Sequence, residues 1–280
     1  MKIQYWGTAA TEGIPSVFCS CKVCANARQR GGRFIRLRSQ ALIDGSLLVD
    51  FGPDTYVNSL RYGYNLGDLE NVLITHVHSD HFTPTEIARR RRDFAHDVKS
   101  DVLNIYGSDA AEEAFVSGAS DNGKRVLDDG RVKFSALKQY ETVKVGRHLV
   151  TPLPAHHSSN NPYIYIIERD GKTVLYNHDS GLPLPETLEW LKNCGKKFDL
   201  VSYDCTHGNN RSVEKGGHMG IGTVLYLRDR FKEMGLYKPN TLSVLNHFSH
   251  NGIDVSYDDF VPIAEKEGFI VSYDGLTIEF

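Results

Sequence analysis

Short apolar runs bounded by Gly, Pro and Asp mark most of the chain, and they predict strands. In the first part these fall at residues 3–6, 39–43, 47–51, 72–75 and 102–106. The second and third form a hairpin turning at Asp44-Gly45, a strong two-residue turn signal. Helices are predicted over 54–62, where Pro53 can open the first turn, over 84–92, and from 108 to 117. Thr83 as N-cap and Glu86 at the third helical position make a capping-box pattern for the second of these. Residues 7–32 read as one long loop, and the polar, Gly-containing residues 118–131 as a connection. Beyond it the order starts again, with strands at 142–145, 148–153, 163–168 and 172–176 and a helix at 186–193. Strand-rich halves each followed by helices predict an α/β (α+β) chain. The expected architecture is a four-layer αββα sandwich, two mixed sheets face to face with helices outside. It is expected to form one domain over 1–280 with halves at about 1–130 and 131–280, without a sequence repeat.

The 280 residues carry a net charge of −3, so no global electrostatic pull toward nucleic acid or membrane follows. No apolar run approaches the roughly 18–20 residues of a membrane span. The opening Met1-Lys2-Ile3-Gln4-Tyr5-Trp6-Gly7 has no signal-peptide core, and a cytoplasmic location is the expectation. Three of the five cysteines lie in Cys19-Ser20-Cys21-Lys22-Val23-Cys24. In a reducing compartment that spacing suits a metal knot; free thiols or a redox pair are the alternatives.

The densest chemistry is His76-Val77-His78-Ser79-Asp80-His81, at the exit of the strand predicted at 72–75. In an extended segment His76 and His78 point the same way, and Asp80 and His81 fall where a turn opens toward a helix. Imidazole and carboxylate suit zinc, iron and manganese, so the stretch reads as half of a two-metal hydrolytic site. A polar loop with three histidines is the alternative. Three further segments end apolar strands with ligand-type residues: Ala155-His156-His157, Asn177-His178-Asp179 and Asn246-His247-Phe248-Ser249-His250. Asp50, ending another apolar run, can cap the next helix or accept a hydrogen bond from a metal-bound histidine. The run Arg89-Arg90-Arg91-Arg92 can be a solvated helix end, or one or two of its members can reach a phosphate.

His-x-His-x-Asp-His resembles the signature of the metallo-β-lactamase fold superfamily. The resemblance runs from Ile3 to Phe280 and implies His76, His78 and His156 on one metal, Asp80, His81 and His247 on the other, and Asp179 bridging them. His156 is preferred to His157 because Tyr163 follows it by seven residues. Asp50 matches an aspartate that sits beside the metals. The cysteines and His247-Phe248-Ser249-His250 look like those of PhnP-type cyclic phosphodiesterases, which are related to tRNA 3′-end endonucleases. That likeness implies a structural zinc on Cys19, Cys21, Cys24 and His250. It also implies a general acid at His218, within Gly217-His218-Met219-Gly220, acting with Asp80 in catalysis. The arginine run, Asp204-Cys205-Thr206-His207 and Arg211 depart from that family's pattern and bear on the substrate, with Arg89, Arg92, His207 and Arg211 as candidate contacts.

Two divalent ions, zinc or manganese with iron as a further option, would hold a bridging hydroxide and clamp the oxygen under attack. The expected function is hydrolysis of a small cyclic or linear phosphodiester, with no membrane or nucleic-acid partner and with a homodimer left open. Lactone, carboxyl-ester or amide hydrolysis, RNA processing and a non-catalytic, metal-loaded accessory role are the alternatives.

Overall fold

The computed structural model describes residues 1–280, apart from the side chain of Ser120. In chain order the strands are β1 (Lys2–Gly7), β2 (Gln40–Ile43), β3 (Leu47–Val49), β4 (Asn71–Leu73), β5 (Leu103–Gly107), β6 (Val132–Ala136), β7 (Val143–Val145), β8 (His148–Pro154), β9 (Tyr163–Arg169), β10 (Lys172–Asn177), β11 (Phe198–Asp204), β12 (Tyr237–Asn246), β13 (Ile270–Val271) and β14 (Thr277–Glu279). They form two seven-stranded sheets, ordered β14-β1-β2-β3-β4-β5-β6 and β13-β12-β11-β10-β9-β8-β7. Each begins as an antiparallel meander, β1–β3 or β7–β10, and continues with parallel strands, β4–β6 or β11–β13. The last strand, β14, returns to pair with β1.

Side-chain alternation builds three apolar layers. Ile3, Tyr5, Ile43, Val49 and Leu73 face Val150, Tyr165, Ile167, Val174 and Val244 between the sheets. Trp6, Leu48 and Val72 point the other way, under helices α4 (Asp109–Gly118) and α5 (Ser120–Asp128), which supply Phe115 and Val126. The second sheet is covered by α1 (Lys22–Arg30), α6 (Pro185–Asn193), α7 (Ile221–Glu233) and α8 (Tyr257–Lys266). In α7, Ile221, Val224, Leu227 and Phe231 repeat at helical spacing and are buried, each contributing about 1.5–3 kcal/mol. Because both faces of the second sheet are covered, Tyr163-Ile164-Tyr165-Ile166-Ile167 in β9 reads as an unbroken apolar run. The sandwich is the expected αββα arrangement.

Three local expectations are corrected. Residues 7–32 contain α1, whose N-terminus is Cys21, so the cysteine cluster sits on a helix start. Residues 118–131 hold α5, a helix whose Val126 packs inward while Gly123 lies close against the Ala119 Cβ. The helix predicted over 84–92 is only α3 (Pro84–Ile87) followed by one 3₁₀ turn, Ala88–Arg90. No capping box forms there: the buried Thr83 hydroxyl has no partner among the described residues, and the Glu86 carboxylate goes to Arg89 at 3.1 Å. The remaining helix, α2 (Thr55–Arg61), lies within the predicted span. Ile43 pairs with Leu47, so the hairpin loop is three residues, Asp44-Gly45-Ser46; Asp44 and Gly45 hold the left-handed φ of 49° and 68°, and the Ser46 N–H donates to the Ile43 carbonyl at 3.1 Å.

Candidate metal centre

Every residue of the centre lies at or just beyond the C-terminal end of a strand. Asp50 follows β3, His76–His81 follow β4, His157 follows β8, Asp179 follows β10, Asp204 ends β11 and His247 follows β12. Strand ends from both sheets thus converge on one rim. Asp50, Asp179 and His247 hold φ of 68°, 48° and 64°, which non-glycine residues rarely adopt. Such conformations persist only where surrounding contacts enforce them. Here the Asp50 N–H donates to the Leu73 carbonyl at 2.7 Å, and the Phe51 N–H to the His81 carbonyl at 2.8 Å. Gly52 lets the metal loop close on this turn, since a Cβ there would meet the Asp80 carbonyl oxygen at 2.0 Å.

One ligand group is His76, His78 and His157. His78 Nδ1 lies 3.0 Å from His76 Nε2 and 3.1 Å from His157 Nε2. A second group is Asp80, His81 and His247. Asp179 stands between them, with Oδ2 at 2.6 Å from His81 Nε2 and 2.7 Å from His247 Nε2, and Oδ1 at 3.7 Å from His157 Nε2.

The hydrogen-bond partners of the rings test whether the donor set fits a metal. His81 Nδ1–H donates to Asp50 at 2.7 Å, and Asp50 also accepts the N–H and hydroxyl of Thr75. His247 Nδ1 lies 2.9 Å from the Thr206 hydroxyl and 3.2 Å from Asp204. With Nδ1 as the donor in each ring, both Nε2 atoms present lone pairs toward Asp179. His81 Nε2, His247 Nε2 and Asp179 Oδ2 are buried and make no hydrogen bond despite these short distances. Lone pairs and a carboxylate oxygen face one another stably only around positive charge. Without a metal the rings must supply it themselves: burial opposes a charge on His247, but Asp179 and Asp204 outweigh it and push its pKa up to about 10. The donor set therefore fits two divalent cations.

The ligand assignment at β8 is corrected. The His156 Nδ1–H donates to the Leu182 carbonyl at 3.1 Å, and its backbone N–H to the Ser180 hydroxyl at 3.0 Å, so it braces the Asp179 loop. His157 enters the cluster in its place. Pairing with β9 ends at Pro154↔Tyr163 and the chain leaves the sheet, so the spacing to Tyr163 no longer fixes side-chain direction. His178 is likewise turned away, its Nε2 at 2.7 Å from the Ser202 hydroxyl and its ring against Tyr176; burial lowers its pKa to about 3.

His218 stands at the rim, stacked on His247 with centroids 5.6 Å apart. Its Nδ1 lies 3.1 Å from Asp204, and its Nε2 has no partner among the described residues. Burial works against a charged His218, and Asp204 outweighs it, raising the pKa above the ordinary imidazole value. The sequence places Asp204 only in a segment bearing on the substrate, not as a support of the ligand histidines. One of its oxygens accepts the Thr206 and Met219 N–H groups and the other serves His218, His247 and the Thr206 hydroxyl, which makes it an acceptor hub. Asp50-Thr75-His81 and Asp204-Thr206-His247 are matching arrangements, one from each sheet. The available signal for Asp204 was its place at the end of an apolar run, which it shares with Asp50.

Residues 46–237 match the family model described as the beta-lactamase superfamily domain. The chain belongs to the beta-lactamase superfamily, a superfamily of metal-dependent hydrolases. Its fold is shared with a diphosphatase from the PhnP family (TM-score 0.74, 18% identity, 100% of this chain and 97% of that one). It is shared with Zn²⁺-bound PqqB from Methylobacterium extorquens (0.78, 18%, 100% of both chains) and with the short form of human tRNase Z (0.61, 15%, 100% and 99%). No curated protein matches it by sequence. No helix among the described residues is long and apolar enough to cross a membrane.

In this beta-lactamase superfamily chain a further ligand group joins the first loop to the segment carrying His247. Sγ of Cys19, Cys21 and Cys24 and a ring nitrogen of His250 lie within 4.8 Å of one another. His250 Nδ1 is 3.6 Å from the sulfurs of Cys19 and Cys21, the ligand–ligand separation of about 3.6 Å that tetrahedral zinc requires. The Cys24 backbone N–H, with His250 and Cys19, lowers the Cys21 pKa to about 6, while burial pushes Cys24 up to about 11. Three thiols this close ionise together only with a cation between them. A zinc ion held there would be lost in Cys21→Ser, lowering zinc content by one ion per chain and depressing the melting temperature, because structural zinc binding is folding energy. An unchanged zinc content and melting curve would remove this assignment.

The arginines are not brought to the cluster. Arg89 pairs with Glu86, Arg90 is buried against the Leu66 and Ser100 carbonyls, and Arg92 is exposed. The break of the helix at Ala88 sends each side chain a different way. Arg211 is tied to Glu267 at 2.7 Å and to Asn209 at 3.0 Å. Of the four candidate substrate contacts, His207 alone stands beside the centre, its ring centroid 6.1 Å from that of His218.

Proposed function

We propose that the protein is a phosphodiesterase acting on a small cyclic or linear phosphodiester. His76, His78 and His157 would hold one divalent ion, zinc or manganese, Asp80, His81 and His247 the other, and Asp179 would lie between the two. When bound, the ions supply Lewis acidity and an activated water. The observation that carries the reading is His218, braced by Asp204 at the rim with its Nε2 free. An alkoxide leaving phosphorus needs a proton, and an imidazole held protonated beside the reacting centre can give it. Asp204 keeps the ring oriented and stabilises its charge. Asp50 and Thr75, with Asp204 and Thr206, hold the ligand histidines in the tautomer that presents Nε2 inward.

The test is a panel of phosphodiesters, phosphomonoesters, lactones and β-lactams offered to zinc- and manganese-loaded protein. Diesters should be cleaved with the highest kcat/KM. Turnover of lactones or β-lactams with no diester cleaved would overturn the proposal.

A further inference from the structure

We propose that His207, held by Glu214, reads the leaving group of the substrate by hydrogen bonding to a hydroxyl next to the departing oxygen. This rests on the phosphodiesterase reading and adds the class of alcohol released.

The rings of His247, His218 and His207 form a row running outward from the metal centre. Their side chains are 1%, 29% and 40% exposed. If His218 protonates the leaving oxygen, that oxygen lies at its free Nε2, and the body of the leaving group extends away from the metals. The next polar side chain outward in that row is His207. It stands in a built arrangement. Its Nδ1–H donates to Glu214 Oε1 at 2.8 Å, Glu214 Oε2 accepts the Gly220 N–H at 3.1 Å, and the Glu214 N–H donates to the Thr223 hydroxyl at 2.9 Å. The His207 backbone is pinned by Met219 and Ile253. With Nδ1 committed to Glu214, Nε2 is the open atom, and it has no partner among the described residues.

Charge decides what that atom can take. A carboxylate 2.8 Å away leaves the His207–Glu214 pair neutral at most and otherwise negative, so a second phosphate would meet Glu214 as well as the ring. A hydroxyl carries no such penalty. It donates to a neutral Nε2 and accepts from a protonated one, so it fits either state of the ring. The alcohol released should therefore carry a second hydroxyl near its reacting oxygen.

Two symmetric diesters leave no ambiguity over which group departs: bis(2-hydroxyethyl) phosphate and diethyl phosphate. Zinc-loaded protein is assayed with each, and monoester formation is followed by phosphorus NMR. Wild type should prefer the hydroxylated diester by about tenfold in kcat/KM, as one partly exposed hydrogen bond allows. His207→Ala should abolish the preference by lowering the rate on bis(2-hydroxyethyl) phosphate alone. His207→Phe, which keeps a ring against His218, should do the same. Equal wild-type rates on the two diesters, a preference that survives either variant, or an equal fall on both substrates would overturn the inference while leaving the phosphodiesterase reading intact. Failure of wild type to cleave either linear diester would overturn the inference, and failure on cyclic diesters as well would remove the phosphodiesterase reading.

Discussion

Asp179→Ala should leave a folded protein that holds fewer than two metal ions at the centre and has lost at least about 10³-fold in kcat on every substrate it turns over. That factor corresponds to about 4 kcal/mol of lost transition-state stabilisation, within the several kcal/mol a metal pair supplies. Asp179 is the residue whose two oxygens face both ligand groups, so its removal unlinks them. Metal content by elemental analysis and kcat on the preferred diester decide the matter. Companion variants locate the third histidine: His157→Ala should lose metal and activity together, whereas His156→Ala should keep its metals, its ring being spent on the Leu182 carbonyl. Full activity in Asp179→Ala, or metal loss in His156→Ala but not in His157→Ala, would break the assignment.

His218→Ala should separate substrates by leaving group. With an alkyl diester kcat should fall about 10²–10⁴-fold, the usual contribution of a positioned acid. With a p-nitrophenyl diester, whose leaving group departs without a proton, the fall should be much smaller. Metal content should not change, because Asp80, His81 and His247 remain. The sign of the pH dependence follows from the raised pKa: the acid form is present below it, so wild-type turnover of the alkyl diester should decline as pH rises through that value, and the variant should lose this limb. Equal losses on both diesters would make His218 a structural or substrate-binding residue instead.

The sandwich was legible because both sheets bury both faces, and buried strands announce themselves as apolar runs between turn residues. Asp44-Gly45 gave the hairpin, and His76 to His81 gave the centre, since chemistry packed into six consecutive residues survives without tertiary information. The helices α1 and α5 were missed for opposite reasons. One carries the cysteines and begins inside a metal-ligand pattern; the other carries few apolar residues and a glycine.

By itself the sequence determined which residue types end the strands, and so the kind of chemistry the rim can hold. The choice between His156 and His157 was made by tertiary structure, because the chain leaves the sheet at Pro154 and the Leu182 carbonyl and Ser180 hydroxyl capture the first ring. Tertiary structure also made Asp204 the shared support of His218 and His247, and it parted the arginines from the centre. Local pattern fixes direction only while a strand or helix lasts. Past its end, the partners that side chains find across the fold decide where they point.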